Sequence, residues 1–167
     1  MKQSEIAHSW RERLWRYAPL ILWTIVIFVA STNTGSMSNT SRIVRPLLEF
    51  LFPSISELQL LIIHGLIRKV AHLAFYFILG ALAARAFSTS LKPFLRRNWI
   101  AVSFVLVVTI AYLDEKNQSF LTSRTSSLRD VLIDICGGAM ALLIWFLAAK
   151  SRRRNQQSSN KPSLASK

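Results

Sequence analysis

Residues 131–149 read VLIDICGGAMALLIWFLAA, a run of 19 residues in which Asp134 is the only charged side chain. As an α-helix this run rises about 28 Å, nearly the thickness of a membrane's hydrocarbon core. Three further apolar stretches precede it, at 14–31, 70–87 and 99–113. The sequence therefore predicts an all-α integral membrane protein, built as a bundle of four transmembrane helices.

The composition excludes the main alternatives to a membrane protein. The chain of 167 residues is 51% hydrophobic and only 17% charged, whereas soluble domains carry about 25% charged residues. Disorder requires low hydrophobicity, so the chain as a whole does not belong to that class. The single cysteine, Cys136, allows no intrachain disulfide and no cysteine-based zinc site.

Two segments need separate explanations. The stretch at 99–113 is short for a span, so it crosses the membrane only if Asp114 and Glu115 lie at the interface or in a hydrated cavity. Residues 55–67, ISELQLLIIHGLI, carry an apolar stripe but are too few to cross. We predict that they form an additional external amphipathic helix, interfacial or re-entrant, before the second span.

The basic residues are divided unequally between the two sides of the predicted bundle. Fourteen of the 21 Lys and Arg lie before the first span, between the second and third, and after the fourth, and seven lie on the other side. The positive-inside rule assigns the richer side to the cytoplasm. We predict a multi-pass protein of the cell (plasma) membrane with both termini cytoplasmic. Because the charges are spread over membrane flanks, the expected partners are membrane lipids, with no nucleic acid.

This topology divides the chain into three parts. Residues 1–16 form a basic cytoplasmic N-terminus, 17–149 form the four-helix membrane domain, and 150–167 form a basic cytoplasmic tail. The tail is expected to be disordered because it is polar and of low complexity. The Ser- and Asn-rich residues 31–41 are expected to form a flexible external loop.

Ionisable residues collect at the predicted outer end of the bundle. Four of the eight acidic residues fall within 21 positions, and they are Asp114, Glu115, Asp130 and Asp134. Three pairs of polar residues are spaced four apart, so that each pair shares one face of a helix: Arg68 with His72, Asp114 with Gln118, and Asp130 with Asp134. Charges at this depth normally face the bundle interior. We predict an outward-open polar site lined by Arg68, Lys69, His72, Asp114, Glu115, Gln118, Arg124, Asp130 and Asp134.

Three separated blocks of sequence resemble the signature of the VanZ-like membrane proteins. They are RKVAH at 68–72 with Tyr76 and Leu79-Gly80, DEKNQSF at 114–120, and RTSSLRDVLIDICG at 124–137. FVAST at 28–32 is also similar to the end of that family's first span. Two positions depart from the pattern: Thr122-Ser123 stand where the family often has Pro-Gly, and Asp134 stands where many members have Asn. The resemblance implies a role at the cell envelope, since the family is named for a protein that lowers susceptibility to the glycopeptide teicoplanin.

Charges of both signs at one outer site predict recognition of an anionic substrate. We predict an envelope or lipid-linked substrate, such as a cell-wall precursor, that is bound and modified by a transferase or hydrolase using acid/base chemistry. Glu115 or Asp114 would be the base, and His72 the acid or an orienting partner. Guanidinium groups bind carboxylate or phosphate with two parallel hydrogen bonds. The predicted binding residues are Arg68, Lys69, Gln118, Arg124, Ser127, Asp130 and Asp134.

Structural explanations stay open beside these roles. His72 could be a satisfied core histidine, the carboxylates could form a charge network that sets helix register, and Asp130 suits the N-terminus of a helix. The sequence contains no recognised metal-ligand spacing such as H-E-x-x-H, so we predict no metal and no cofactor. The less favoured metal site would combine His72 with Asp114, Glu115 or Asp134. The competing class is a non-catalytic membrane binding or structural protein that influences glycopeptide susceptibility.

Overall fold

The computed structural model describes residues 2–32, 37–119 and 128–159, and these ranges contain helices and no strand. The helices, in chain order, are α1 (Lys2–Ala30), α2 (Met37–Leu51), α3 (Glu57–Ser88), α4 (Pro93–Arg97), α5 (Trp99–Ser119) and α6 (Leu128–Ser159). The predicted all-α class is confirmed.

Three helices have the length and apolar composition needed to cross a membrane. They are the part of α1 from Trp10 to Ala30, the whole of α3, and the part of α6 from Leu128 to Gln157. Large apolar side chains cover their outer surfaces, and Leu22, Val70 and Leu143 are all more than half exposed. Such surfaces are stable against lipid rather than water. The chain is therefore a membrane protein.

α3 lies at the centre of the bundle, in contact with α1, α5 and α6. Small or apolar residues such as Leu79 and Ala83 have no exposed surface there. The indole Nε1 of Trp23 donates a hydrogen bond to the carbonyl oxygen of Phe75 at 2.9 Å, which joins α1 to α3. Side chains that point inward from α3 therefore meet neighbours on several helices.

Glycines allow α3 and α6 to approach closely. A Cβ on Gly80 would lie 2.6 Å from the carbonyl oxygen of Gly138, and a Cβ on Gly137 would collide with the carbonyl of Leu73. Small residues at such crossings are typical of membrane helices, which associate through close backbone packing. The crossing brings Asp134, one turn before Gly138, directly against α3.

The first turns of α3 differ from the prediction for residues 55–67. Ser56 and Gln59 form a capping box, in which the Gln59 N–H donates to Ser56 Oγ at 3.3 Å and the Ser56 N–H donates to Gln59 Oε1 at 3.0 Å. From Glu57 the helix continues unbroken to Ser88. These residues are therefore part of the long α3 rather than a separate interfacial or re-entrant helix. The charges that follow them need no break, because Arg68 turns inward to a polar partner on α5.

An amphipathic helix does occur between α1 and α3, but earlier in the chain. α2 begins at Met37, within the residues expected to form a loop, and buries Leu48 while leaving Phe50 82% exposed. Arg45 donates to Glu49 at 2.8 Å within α2, and its second contact is with Glu57 at the start of α3. This link connects α2 to α3.

The opposite end of the bundle contains the short α4 and the extension of α6. Tyr17 on α1 and Ser90 after α3 form a hydrogen bond of 2.8 Å. α6 continues to Ser159, so the structure differs from the expected disordered tail over residues 150–159. Lys, Arg and Gln are good helix formers, which explains the extension. Residues 160–167 lie outside the described ranges.

Candidate functional site

Four helix segments meet at one end of the bundle. They are the end of α1, the first half of α3, the end of α5 and the first turns of α6. Three side-chain hydrogen bonds join them: Ser31 to Asp114, Arg68 to Gln118, and His72 to Asp134. The polar residues of α3, α5 and α6 therefore converge as the helical spacing predicts, and Ser31 after α1 joins them.

His72 and Asp134 form the contact between α3 and α6. The His72 Nδ1 lies 3.2 Å from the Asp134 Oδ1, and the side chains are 20% and 2% exposed. A carboxylate beside a ring nitrogen holds the imidazole in one orientation and selects its tautomer. Asp134 therefore positions His72, whose ring remains partly accessible.

Asp114 is held on both carboxylate oxygens. Ser31 Oγ donates to its Oδ1, and Gln118 Nε2 donates to its Oδ2 at 3.1 Å. Gln118 in turn accepts a hydrogen bond from Arg68 Nη2 at 3.4 Å. The resulting chain of contacts runs from α1 through α5 to α3 and fixes a carboxylate that is only 1% exposed.

The two carboxylates and the histidine form one compact group. His72, Asp114 and Asp134 each offer one nitrogen or oxygen atom, and these three atoms lie within 4.8 Å of one another. Tyr76, one helical turn after His72, is 1% exposed and close enough to both aspartates for electrostatic interaction. Its hydroxyl lies next to Asp114 but forms no hydrogen bond of regular geometry with any described residue. We call His72, Tyr76, Asp114 and Asp134 the buried cluster.

The buried cluster contains more negative than positive groups. Within the described part of the chain, Asp134 forms its ion pair with His72, and neither aspartate has a Lys or Arg nitrogen within 4.0 Å. Arg68 reaches Asp114 only through Gln118. Buried charges normally require direct pairing or a bound cation. Among the described residues, His72 is therefore the basic group that lies with these aspartates, in direct contact with Asp134.

The structure brings together five of the predicted site residues: Arg68, His72, Asp114, Gln118 and Asp134. Glu115 is also buried, at 8% exposure, on the next position of α5. Lys69 is exposed beside them. These positions agree with an inward-facing group that has a basic rim.

The remaining predicted residues lie at the start of α6 or before it. Asp130 is half-buried one turn before Asp134 and close enough to interact with it electrostatically. Arg124 and Ser127 lie outside the described residues.

Sequence reasoning missed two members of the site. Ser31, in the FVAST block, donates to Asp114, and Tyr76, in the stripe with His72, belongs to the buried cluster. Both lay in the motifs that carry the family resemblance, so a signal was present. Their roles require the packing of α1 and α5 against α3, which spacing along one helix does not reveal.

The fold and site together define a helical membrane protein with an ionisable cluster buried where several helix ends meet. The family model described as VanZ/LLP1 matches residues 17–149, about four-fifths of the chain. The protein belongs to the VanZ/LLP1 family. No curated protein and no solved structure is significantly similar to it.

Proposed function

We propose that this VanZ/LLP1 protein binds an anionic, lipid-linked or cell-wall precursor headgroup at the outer face of the plasma membrane and modifies it by acid/base chemistry. The observation that carries the proposal is the buried cluster, in which His72 and two aspartates from three helices lie within 4.8 Å. Such groups are costly in a membrane and are normally retained for function.

We include α5 as a fourth membrane span, in addition to α1, α3 and α6. α5 packs against both α3 and α6, and Val107 and Ala111 on it are fully buried. Its three consecutive charged residues, 114–116, limit its apolar length. Asp114 and Glu115 nevertheless turn into the protein rather than toward lipid, so the helix can cross with its charged end at the interface.

Orientation follows from the basic residues. The end with the buried cluster is opposite to the end that carries Arg96 and Arg97 of α4 and the basic extension of α6. Under the positive-inside rule that basic end is cytoplasmic, with both termini. The cluster then faces the exterior, and α2 lies on the outer surface with Leu47 and Phe50 in the lipid interface.

The roles of the residues follow from their surroundings. Both oxygens of Asp114 already accept hydrogen bonds, which suits an anchored group. Glu115 is buried beside it and interacts electrostatically with Tyr76, and we assign the role of general base to Glu115. Arg68 and Lys69 at the rim, together with Arg124, would hold the anionic headgroup.

A second candidate function is a non-catalytic membrane protein that binds a headgroup or glycopeptide. The hydrogen-bond chain from Ser31 through Asp114 and Gln118 to Arg68 favours it, because the chain also joins three helices. Such a network can set helix register without chemistry. The two candidates differ in whether Glu115 must exchange a proton.

The test compares Glu115→Gln, Arg68→Gln and the control Cys136→Ala, an exposed position on α6. Each variant is expressed in a host that lacks its own copy, and membrane levels, teicoplanin susceptibility and the masses of lipid-linked precursors are measured. We expect normal levels for all three, with function lost in Glu115→Gln and Arg68→Gln only. Loss in Arg68→Gln with full function in Glu115→Gln would favour the non-catalytic candidate. Full function in both would refute the proposed site.

A further inference from the structure

We propose that His72, Asp114 and Asp134 bind a divalent transition-metal ion, with zinc as the ion that fits best. The metal site is inferred from the ligand atoms and the buried charge, and it does not depend on the proposed function. The role of the metal toward an anionic headgroup does rest on the proposed function.

The ligand set is the first argument. It comprises one imidazole nitrogen and two carboxylate oxygens from α3, α5 and α6. Mixed nitrogen and oxygen ligands are typical of zinc sites, whereas Mg²⁺ and Ca²⁺ prefer oxygen alone. Three protein ligands leave a position open for water or substrate, which is the arrangement of catalytic rather than structural zinc.

The distances are the second argument. Adjacent ligands of a tetrahedral zinc ion with bonds of about 2.1 Å lie about 3.4 Å apart. The His72 Nδ1 and Asp134 Oδ1 are 3.2 Å apart, close to that spacing, so the ion would replace the proton that these two atoms share. The three ligand atoms all lie within 4.8 Å of one another. Small side-chain rotations would bring Asp114 to the same ion.

The supporting contacts are the third argument. Ser31 and Gln118 donate hydrogen bonds to Asp114 from outside the group, as partners that orient a metal ligand do. Such partners hold a carboxylate in one direction while leaving lone pairs for the ion. The site is therefore supported before any ion binds.

The unpartnered Tyr76 hydroxyl is an independent observation. It is buried, lies next to Asp114 without a hydrogen bond of regular geometry to any described residue, and interacts electrostatically with both aspartates. A buried hydroxyl without a partner is costly. A water molecule bound to the metal's open position would supply that partner. The charge of the cluster also favours a metal ion, because a divalent cation balances the two buried carboxylates better than one histidine does.

With a phosphate-bearing headgroup held by Arg68 and Lys69, such an ion would act as a Lewis acid beside Glu115. A metal-bound water would then be available to Glu115 as general base. This would explain why the buried cluster and the basic rim occur together.

The test uses the purified full-length protein in detergent, stripped with a chelator and titrated with Zn²⁺. Cys136→Ala serves as background, so that the exposed thiol cannot bind the ion. Elemental analysis should find a single zinc ion per chain, and zinc should raise the unfolding temperature. Mg²⁺ and Ca²⁺ at the same concentration should do neither.

His72→Gln and Asp134→Asn should each weaken zinc binding at least about tenfold. The matched control is His64→Gln, since His64 is another buried histidine of α3 but lies outside the cluster. It should bind zinc as the background protein does. Size-exclusion profiles identify variants that fail to fold. If a variant fails to fold, the zinc titration of the Cys136→Ala background protein decides whether the site exists.

The inference is wrong if the stripped protein takes up no zinc above the buffer blank. It is also wrong if folded His72→Gln and Asp134→Asn bind zinc as tightly as His64→Gln does. The proposed function can fail separately. If the protein binds zinc but its Glu115→Gln and Arg68→Gln variants keep full function in cells, the metal site is supported and the proposed function is refuted. If the protein binds no zinc but those two variants lose function, the metal site is refuted and the proposed function is supported.

Discussion

The two ends of the bundle differ in whether they bury charged side chains. At the basic end, Arg11, Arg13 and Arg96 are exposed, and the partly buried polar contact between Tyr17 and Ser90 is neutral. At the other end, Asp114 and Asp134 are each only 1% exposed. Exposed charges are solvated and orient the protein, whereas buried charges cost free energy and need a compensating role.

The exposed basic residues therefore concern the topology of the protein in the membrane, whereas the buried cluster concerns its chemistry. Removing one exposed arginine takes away a small share of a distributed charge. Removing one member of the buried cluster leaves its partners buried and unpaired, which is the more costly change.

The largest effect is expected for Asp134→Asn compared with Arg96→Gln. The first change removes the charge that holds His72, and we expect function to fall about 10–100-fold. The second changes an exposed residue of α4 and should leave function intact. The measurement is teicoplanin susceptibility normalised to membrane protein level. Equal effects would mean that burial does not distinguish the two ends.

The next effect concerns the close helix crossing that supports the cluster. Gly137→Ala would drive a methyl group into the carbonyl of Leu73, and we expect a loss of about 1–3 kcal/mol in the free energy of unfolding. Gly65→Ala meets no atom within 4 Å, so improved helix propensity should stabilise the protein by up to about 1 kcal/mol. Unfolding in mixed detergent micelles measures both. A stable Gly137→Ala protein would contradict the packing described for α3 and α6.

Two tyrosine substitutions distinguish the ends by their hydrogen bonds. Tyr17→Phe removes the bond to Ser90 and should cost about 0.5–1.5 kcal/mol of stability without loss of function. Tyr76→Phe removes a hydroxyl that forms no hydrogen bond of regular geometry with any described residue, so stability should fall by less than in Tyr17→Phe, but function should be lost. A double-mutant cycle with Ser90→Ala isolates the first bond. Loss of stability without loss of function in Tyr76→Phe would assign that residue to packing alone.

The smallest effect is expected for Arg45→Gln, which removes the contacts with Glu49 and Glu57. These side chains are about half exposed or more, and exposed ion pairs contribute little because water and salt screen them. We expect the unfolding transition and function to match those of the unchanged protein at physiological salt. A clear loss of stability in Arg45→Gln, reproduced by high salt in the unchanged protein, would show that the link between α2 and α3 is structurally important.

Much of the fold could be predicted from residues taken one segment at a time. The run at 131–149 predicted a membrane helix, and α6 contains it. The prediction failed where local sequence was ambiguous. The stripe at 55–67 belongs to a helix that continues through Arg68, because that side chain has a partner on another element. α2 was missed because Ser- and Asn-rich residues around its start resemble a loop.

Residue spacing also predicted several of the polar residues that come together at one end of the bundle. The four-residue spacing of Arg68 and His72, and of Asp114 and Gln118, correctly predicted residues that share a helix face and turn inward. Spacing did not predict that both oxygens of Asp114 accept hydrogen bonds, one of them from Ser31 after the end of α1.

Apolar length and basic flanks, taken alone, determined that the chain is helical and belongs in a membrane, because transfer of a side chain into lipid depends mainly on that side chain and its near neighbours. Only the tertiary structure decided which polar groups meet. Ser31 and Asp114 are 83 positions apart, and His72 and Asp134 are 62 apart. Their contact depends on the depth and rotation of packed helices, and those are set at the small-residue crossing of α3 and α6 rather than by any one segment.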